Sequence, residues 1–269
     1  MKKISTLILL FFTACIFAQP VGWMYNQPIT VSNPNSGAAI DYQLRLTLNT
    51  QSLIAASQMN SAGNDIRFGG TCTGNAFFNY WIESGINTAS TVIWVKIPLI
   101  AANSFTTIFM FYGNSGAAAA SAVQGTFRGP NSSTDSVSGG NTNALVANSQ
   151  RGFRFQPTQD MLVTHFGKNE PTGTQRYITL FNFNTQAQLA QIQVAGAAAT
   201  YTYGALASPL WLTSGTQYIL QQFQGSNDGY YYQTSSQIGQ HMTYLDMRYC
   251  NSCTQNTFPN TTLANYHYG

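Results

Sequence analysis

Apolar and polar residues alternate with a period of two along most of the chain, and helical periodicity is scarce. In Tyr42-Gln43-Leu44-Arg45-Leu46-Thr47-Leu48-Asn49, the three leucines share one face and Gln43, Arg45 and Thr47 share the other, the pattern of a half-buried antiparallel strand. The same reasoning predicts strands over 29–32, 65–68, 79–83, 91–97 and 106–112. It assigns Trp81, Trp94 and Trp211, which sit inside strand patterns, to the cores. The one helical candidate is 52–59, ended by the turn residues of 60–64. Short strands separated by Gly, Asn and Ser clusters predict antiparallel β-sandwiches.

A shift in composition divides the chain. Residues 113–150 are mostly Gly, Ala, Ser, Asn and Thr, and Arg128-Gly129-Pro130-Asn131 is the sharpest break. Strand patterns resume over 152–155, 161–166, 177–183, 189–194, 210–212, 217–223 and 230–232. The expected fold class is therefore all-β, with two consecutive jelly-roll or lectin-like sandwiches over 19–128 and 151–269. Residues 129–150 are read as a linker whose middle has the composition of a loose first strand for the second sandwich. The aromatic, strand-like end at Tyr266-His267-Tyr268-Gly269 reads as a chain cut from something longer.

The first 18 residues read as an address. Lys2 and Lys3 precede an apolar stretch from Ile4 to Ala18, too short for a spanning helix and typical of a secretory signal peptide cleaved after Ala18. Lipidation at Cys15 is the alternative, disfavoured by Phe12 three residues before it. The expected location is secreted or at a cell surface.

Charged residues make up 7% of the chain, against about 25% in an average domain. Residues 20–128 hold four basic and three acidic side chains, and residues 129–269 hold five of each. That inventory builds no basic patch, which excludes nucleic acid and anionic membrane surfaces as expected partners. In an exported chain, Cys250-Asn251-Ser252-Cys253 is expected to close a local disulfide, because a redox pair wants a βαβ setting and zinc wants more ligands than His241 and His267 offer. Cys72 is then the odd thiol, read as buried. No cofactor or metal is expected.

Five ordered segments carry a family resemblance. Trp23-Met24-Tyr25-Asn26-Gln27-Pro28-Ile29-Thr30-Val31, Asp65-Ile66-Arg67-Phe68 and Tyr80-Trp81-Ile82-Glu83 are followed by Trp94-Val95-Lys96-Ile97-Pro98 with Thr107-Ile108-Phe109-Met110-Phe111-Tyr112-Gly113-Asn114. Together they resemble the bacterial and archaeal surface domain called domain of unknown function 2341. Asn26 departs from that pattern, which usually has a basic residue there. The resemblance implies an exported β-sandwich that often neighbours lectin-like domains, and it implies no catalytic residues. Gly152-Phe153-Arg154-Phe155, Leu162-Val163-Thr164-His165-Phe166 and Leu212-Thr213-Ser214-Gly215-Thr216-Gln217-Tyr218 are similar, more faintly, to a second surface module, domain of unknown function 4082.

The candidate chemistries are few. Gly113-Asn114-Ser115-Gly116 echoes the nucleophile loop of a serine protease, yet all three histidines, at 165, 241 and 267, lie beyond it. A serine nucleophile needs a base within reach, so Ser115 reads as a turn. Asp65 with Glu83 is the best carboxylate pair for a glycosidase, and both positions also suit turns or surface ion pairs. Asn227-Asp228-Gly229 offers calcium too few oxygens and reads as a hairpin turn. Asn227, Asp228, Tyr230 and Tyr232 are the candidate ligand-binding residues, combining sugar-stacking rings with amide and carboxylate groups on one hairpin. Gln186, Gln188, Gln191 and Gln193 are neutral amides suited to solvating an outer face or laddering between chains. The expected function is non-catalytic adhesion or carbohydrate binding, with a glycan or a surface protein as partner. The alternatives are a polysaccharide-acting hydrolase and a self-assembling module of a surface filament.

Overall fold

In a strand, neighbouring side chains point to opposite faces, so the alternation decides which side of each strand meets the core. The computed structural model describes residues 19–74, 76–127, 141–144, 148–225, 228–233, 241–262 and 267–268. The chain is all-β, with every strand pair among the described residues antiparallel. It divides into two units, Met1–Gly129 and Pro130–Gly269.

The first unit has two sheets. One runs β1 (Tyr25–Asn33), β7 (Ser104–Tyr112), β3 (Arg67–Gly69), β4 (Phe77–Phe78); the other runs β2 (Ala39–Leu48), β6 (Thr91–Ile100), β5 (Tyr80–Ser84). Both sheets feed one core: Ile29, Val31, Phe68, Ile108 and Met110 from the first meet Leu44, Leu46, Ile93, Val95 and Ile97 from the second. That shared core makes the unit a sandwich. Each such buried aliphatic side chain contributes roughly 1.5–3 kcal/mol. Asp41 adopts a positive φ of 49°, and beyond it the phase of β2 reverses. Ala39 and the fully buried Ile100 stay on the core side, while the paired Ile40 and Leu99 are 69% and 56% exposed.

The short helix α1 (Thr50–Ala55) begins two residues earlier than the expected 52–59 and ends sooner. Asn49 caps it, its side-chain oxygen accepting the Ser52 N–H at 3.1 Å, so the start is set by a cap. Asn49→Ala is expected to cost the first unit about 1 kcal/mol in a denaturant titration. Ser115 is exposed in a turn where Asn114 accepts the N–H groups of Gly116 and Ala117. A second one-turn helix, α2 (Val123–Thr126), closes the unit and is followed by Phe127.

The second unit is built on a five-stranded sheet in the order β12 (Gln188–Val194), β11 (Arg176–Asn182), β14 (Tyr218–Gln224), β9 (Ser149–Pro157), β16 (Met242–Asn251). A two-stranded sheet, β10 (Met161–Lys168) with β13 (Thr202–Leu212), contributes Phe166 and Leu212 to a core completed by Phe155, Ile178, Leu180, Val194 and Tyr218. A third sheet orders β17 (His267–Tyr268), β15 (Gly229–Gln233) and β8 (Asn141–Ala144). β8 lies inside the stretch read as linker. The opposite face of the five-stranded sheet is crossed by residues 251–262. Gln150 Nε2 donates to the carbonyls of Thr254 and Thr257 at 2.6 and 2.8 Å, and Gln191 Nε2 donates to the Gln255 carbonyl at 3.0 Å. Phe258 meets Phe181 edge-on at 5.6 Å. The expected Cys250–Cys253 disulfide is present at the start of this strap. Cys72 is half-buried and disulfide-bonded, not the buried odd thiol the sequence suggested.

Candidate functional site

On β6, Ile93, Val95 and Ile97 fill the core, so Val92, Trp94 and Lys96 face outward. On β5, Tyr80 and Ile82 pack inward, and Trp81 and Glu83 face outward. On β2, Leu44 and Leu46 are inside, with Gln43, Arg45 and Thr47 outside. The registers then fix the neighbours: Trp81 pairs directly with Trp94, and Trp94 with Arg45. Gln43 pairs with Lys96 in the next row. Trp81 and Trp94 are therefore half-buried on an outer sheet face, which corrects their assignment to the core. Trp211 is likewise half-buried, on the opposite side of β13 from the core residue Leu212.

This outer face has a defined geometry. Phe127 presents its ring edge-on to Trp81 at 5.9 Å and to Trp94 at 5.3 Å. Trp94 Nε1 donates to Glu83 Oε2 at 2.6 Å, fixing the indole in its plane. Gln43 Nε2 donates to the Thr126 carbonyl at 3.4 Å and ties the sheet to α2. Arg45 and Thr47 are exposed, and Lys96 approaches Asp41 at 3.6 Å. The face thus joins two indoles to guanidinium, amide, ammonium and carboxylate groups whose charges balance. Such a surface stacks an apolar ring face and hydrogen-bonds neutral hydroxyl groups around it.

The overlooked signal was in the sequence. Residues i and i+2 share a strand face, and Glu83 and Lys96 follow Trp81 and Trp94 by two positions. A charge seldom sits unpaired in a core, so each tryptophan belongs on the wet side with its charged partner.

The other candidate carboxylate is committed to the fold. Asp65 is 2% exposed, accepting the Asn60 N–H at both oxygens (3.0 and 3.1 Å) and the Gly113 N–H at 2.9 Å. Its carbonyl accepts Trp23 Nε1 at 3.0 Å. Asp65 and Glu83 do not share a cleft: one is sealed at the exit of β7 and the other lies on the outer face of β5.

In the second unit, Asn227 lies outside the described residues. Asp228 accepts the Gly225 N–H at 2.6 Å and pairs with Arg176 at 3.1 Å. Tyr230 is 7% exposed. Tyr230 and Tyr232 do share a face, with ring centroids 6.2 Å apart, and both pack with Met247, Tyr244 and Tyr249. The Arg151 guanidinium lies over the Tyr230 and Tyr249 rings at 5.6 and 5.1 Å.

Asp228 is also the outermost member of a buried ion network. Lys168 Nζ contacts Glu170 Oε1 at 3.0 Å and the Thr174 carbonyl at 2.6 Å, and Arg176 bridges Glu170 at 3.8 Å to Asp228. Glu170 is 1% exposed. Burial pushes its carboxyl upward, but hydrogen bonds from the Thr172 hydroxyl and amide and the Lys168 ammonium outweigh it and hold it below its ordinary value. Two cations and two anions pair with one another here, the arrangement of a structural network. Among the described residues, no three His, Cys, Asp or Glu side chains gather as metal ligands, and no helix is long and apolar enough to cross a membrane.

No curated protein matches the chain. Residues 62–144, which include β3 to β7 and so both tryptophan-bearing strands, match the family model described as Domain of unknown function (DUF2341), and over them the chain carries a domain of that family.

Proposed function

We propose that the chain is a non-catalytic, exported surface protein that binds neutral glycans on the outer face of β2, β6 and β5. The observation that carries this reading is the cross-strand pair Trp81–Trp94, its indole steered by Glu83 and flanked by Arg45 and Gln43. Two adjacent indoles offer a hydrophobic floor for sugar C–H faces, and the surrounding side chains hydrogen-bond hydroxyl groups without a net charge to select for ions. The charge-poor chain supports the same ligand class, since a neutral polymer is recognised by stacking and hydrogen bonds.

A glycan array with the purified chain, followed by calorimetry on the best ligand, tests the proposal. Trp81→Ala and Trp94→Ala are each expected to weaken binding at least tenfold, about 1.4 kcal/mol, with the fold retained because both side chains lie outside the core. Tyr230→Ala/Tyr232→Ala is expected to lower the stability of the second unit and leave that affinity unchanged. Loss of binding in the tyrosine variant alone would move the ligand to the hairpin. Release of sugar from a polysaccharide, abolished by Glu83→Gln, would turn the protein into a hydrolase.

A further inference from the structure

Residues that stand opposite one another on neighbouring antiparallel strands have Cβ atoms about 5 Å apart, and the outer face of β2, β6 and β5 is ordered in rows of such residues. The middle row is Trp81, Trp94 and Arg45, one from each strand. On one side of it lies the row Asn79, Lys96 and Gln43. On the other lies the row Ser84, Val92 and Thr47.

The two flanks differ. The segment 121–127 crosses the sheet on the Asn79 side. It starts at the free edge of β5, where Ser121 Oγ accepts the Ile82 N–H at 2.8 Å and the Ala122 N–H donates to the Tyr80 carbonyl at 2.9 Å. Gly125 then lies against Asn79, where a Cβ would stand 3.2 Å from the Asn79 Cγ. The Thr126 carbonyl meets Gln43 of β2, and Phe127 ends the segment against both indoles. Ser84 and Thr47, on the other flank, are exposed. α2 therefore walls one side of the middle row and blocks the way along the strands. The floor left to a ligand runs across them, from Trp81 over Trp94 to Arg45. At its end Arg45 is exposed, and among the described residues no hydrogen bond or ion pair engages its guanidinium.

We propose that this floor takes a linear β-1,4-linked glycan of at least three units, with one unit each on Trp81, Trp94 and Arg45, a conclusion that rests on the glycan reading of this face. The spacing within the row is close to the length of one sugar ring in an extended chain. Neighbouring strands turn by about 20–25°, so the floor is a shallow twisted ribbon. A β-1,4-linked chain has the same form, whereas an α-1,4-linked chain coils and leaves the floor. The two indoles stack two successive rings. The guanidinium, a planar fork of donors, holds the hydroxyl groups of the third. Arg45 is thus the residue that reads chain length.

Calorimetry with β-1,4-linked glucose, mannose and xylose oligomers of two, three and four units tests this, with α-1,4-linked glucose oligomers of the same lengths for comparison. The β-linked series that binds is expected to gain about tenfold in affinity from two units to three, the worth of one hydrogen bond to a charged donor, and little from three to four. Arg45→Ala is expected to bind the trimer as weakly as the parent binds the dimer, with dimer affinity and melting temperature unchanged. Thr47→Ala, the next outward residue along β2, is expected to keep the step, which a ligand lying along the strand would lose. Binding that needs Trp81 and Trp94 but shows no step at three units, keeps the step in Arg45→Ala, or prefers the α-linked series would overturn this inference and leave the glycan reading standing. Binding of no glycan at all would overturn both.

Discussion

Glu170→Ala is expected to destabilise the second unit by roughly 3–5 kcal/mol, the cost of leaving a buried cation without its partner. The carboxylate answers Lys168 and Arg176, whose side chains are 1% and 3% exposed, and neither reaches water to recover its hydration. Replacing both members of the inner pair, Lys168→Met with Glu170→Leu, removes the stranded charge and is expected to recover most of the loss, with Arg176 still held by Asp228. Thermal melts and hydrogen exchange of β10 and β11 peptides measure both. The same residue sets an acid limit. Its folded pKa lies below the ordinary 4.5, so its contribution is complete above that value and is lost as pH falls through the folded one. The melting temperature of the second unit is therefore expected to drop on acidification below about pH 4, and Glu170→Gln is expected to flatten that drop.

Gly152→Ala is the second large effect. Gly152 stands opposite Gln221 on β14 and opposite Arg248 on β16, in the strand that joins the two. A Cβ built there would lie 2.0 Å from the Leu220 carbonyl oxygen and 2.8 Å from the Gln221 Cα. Those are backbone atoms, and no rotamer change moves them. The strands would have to separate and lengthen the hydrogen bonds of the ladder. About 3 kcal/mol, the upper part of the range for overpacking, is the expected loss. Faster exchange of β9 and β14 amides, with the first unit unchanged, is the sign that checks it.

Strict alternation was the most legible feature of the chain. Leu44, Leu46 and Leu48 announce β2, and the Ile/Val positions of β6 announce the core it meets. Alternation says less where both faces are large and apolar. Thr91-Val92-Ile93-Trp94-Val95 fits a strand either way up, and only Lys96 in the same phase decides it. β16 escaped notice for a different reason. A register irregularity between Tyr244 and Asp246 breaks the period, so Tyr244 and Met247 both reach the core although three positions separate them. Asp246 and Arg248 then look like loop residues, while in the structure Asp246 pairs with both Arg248 and Arg154. Long-range partners of this kind leave no trace in a local pattern, and neither does the Arg176 contact that occupies Asp228.

The strap over 251–262 places a constraint on the order in which the second unit is completed. Synthesis proceeds from the N-terminus, so β9, β11 and β14 emerge before the residues that cover their outer face. Until then Phe181, Ile219 and the amide of Gln150, all at most 1% exposed in the finished unit, lie open to water. The sheet is half-dressed through most of its own translation. Its last coat is delivered by residues made after its final strand, sealed at their root by the Cys250–Cys253 bridge. Completion of this unit thus waits on the arrival of the strap, which is made after the sheet's last strand.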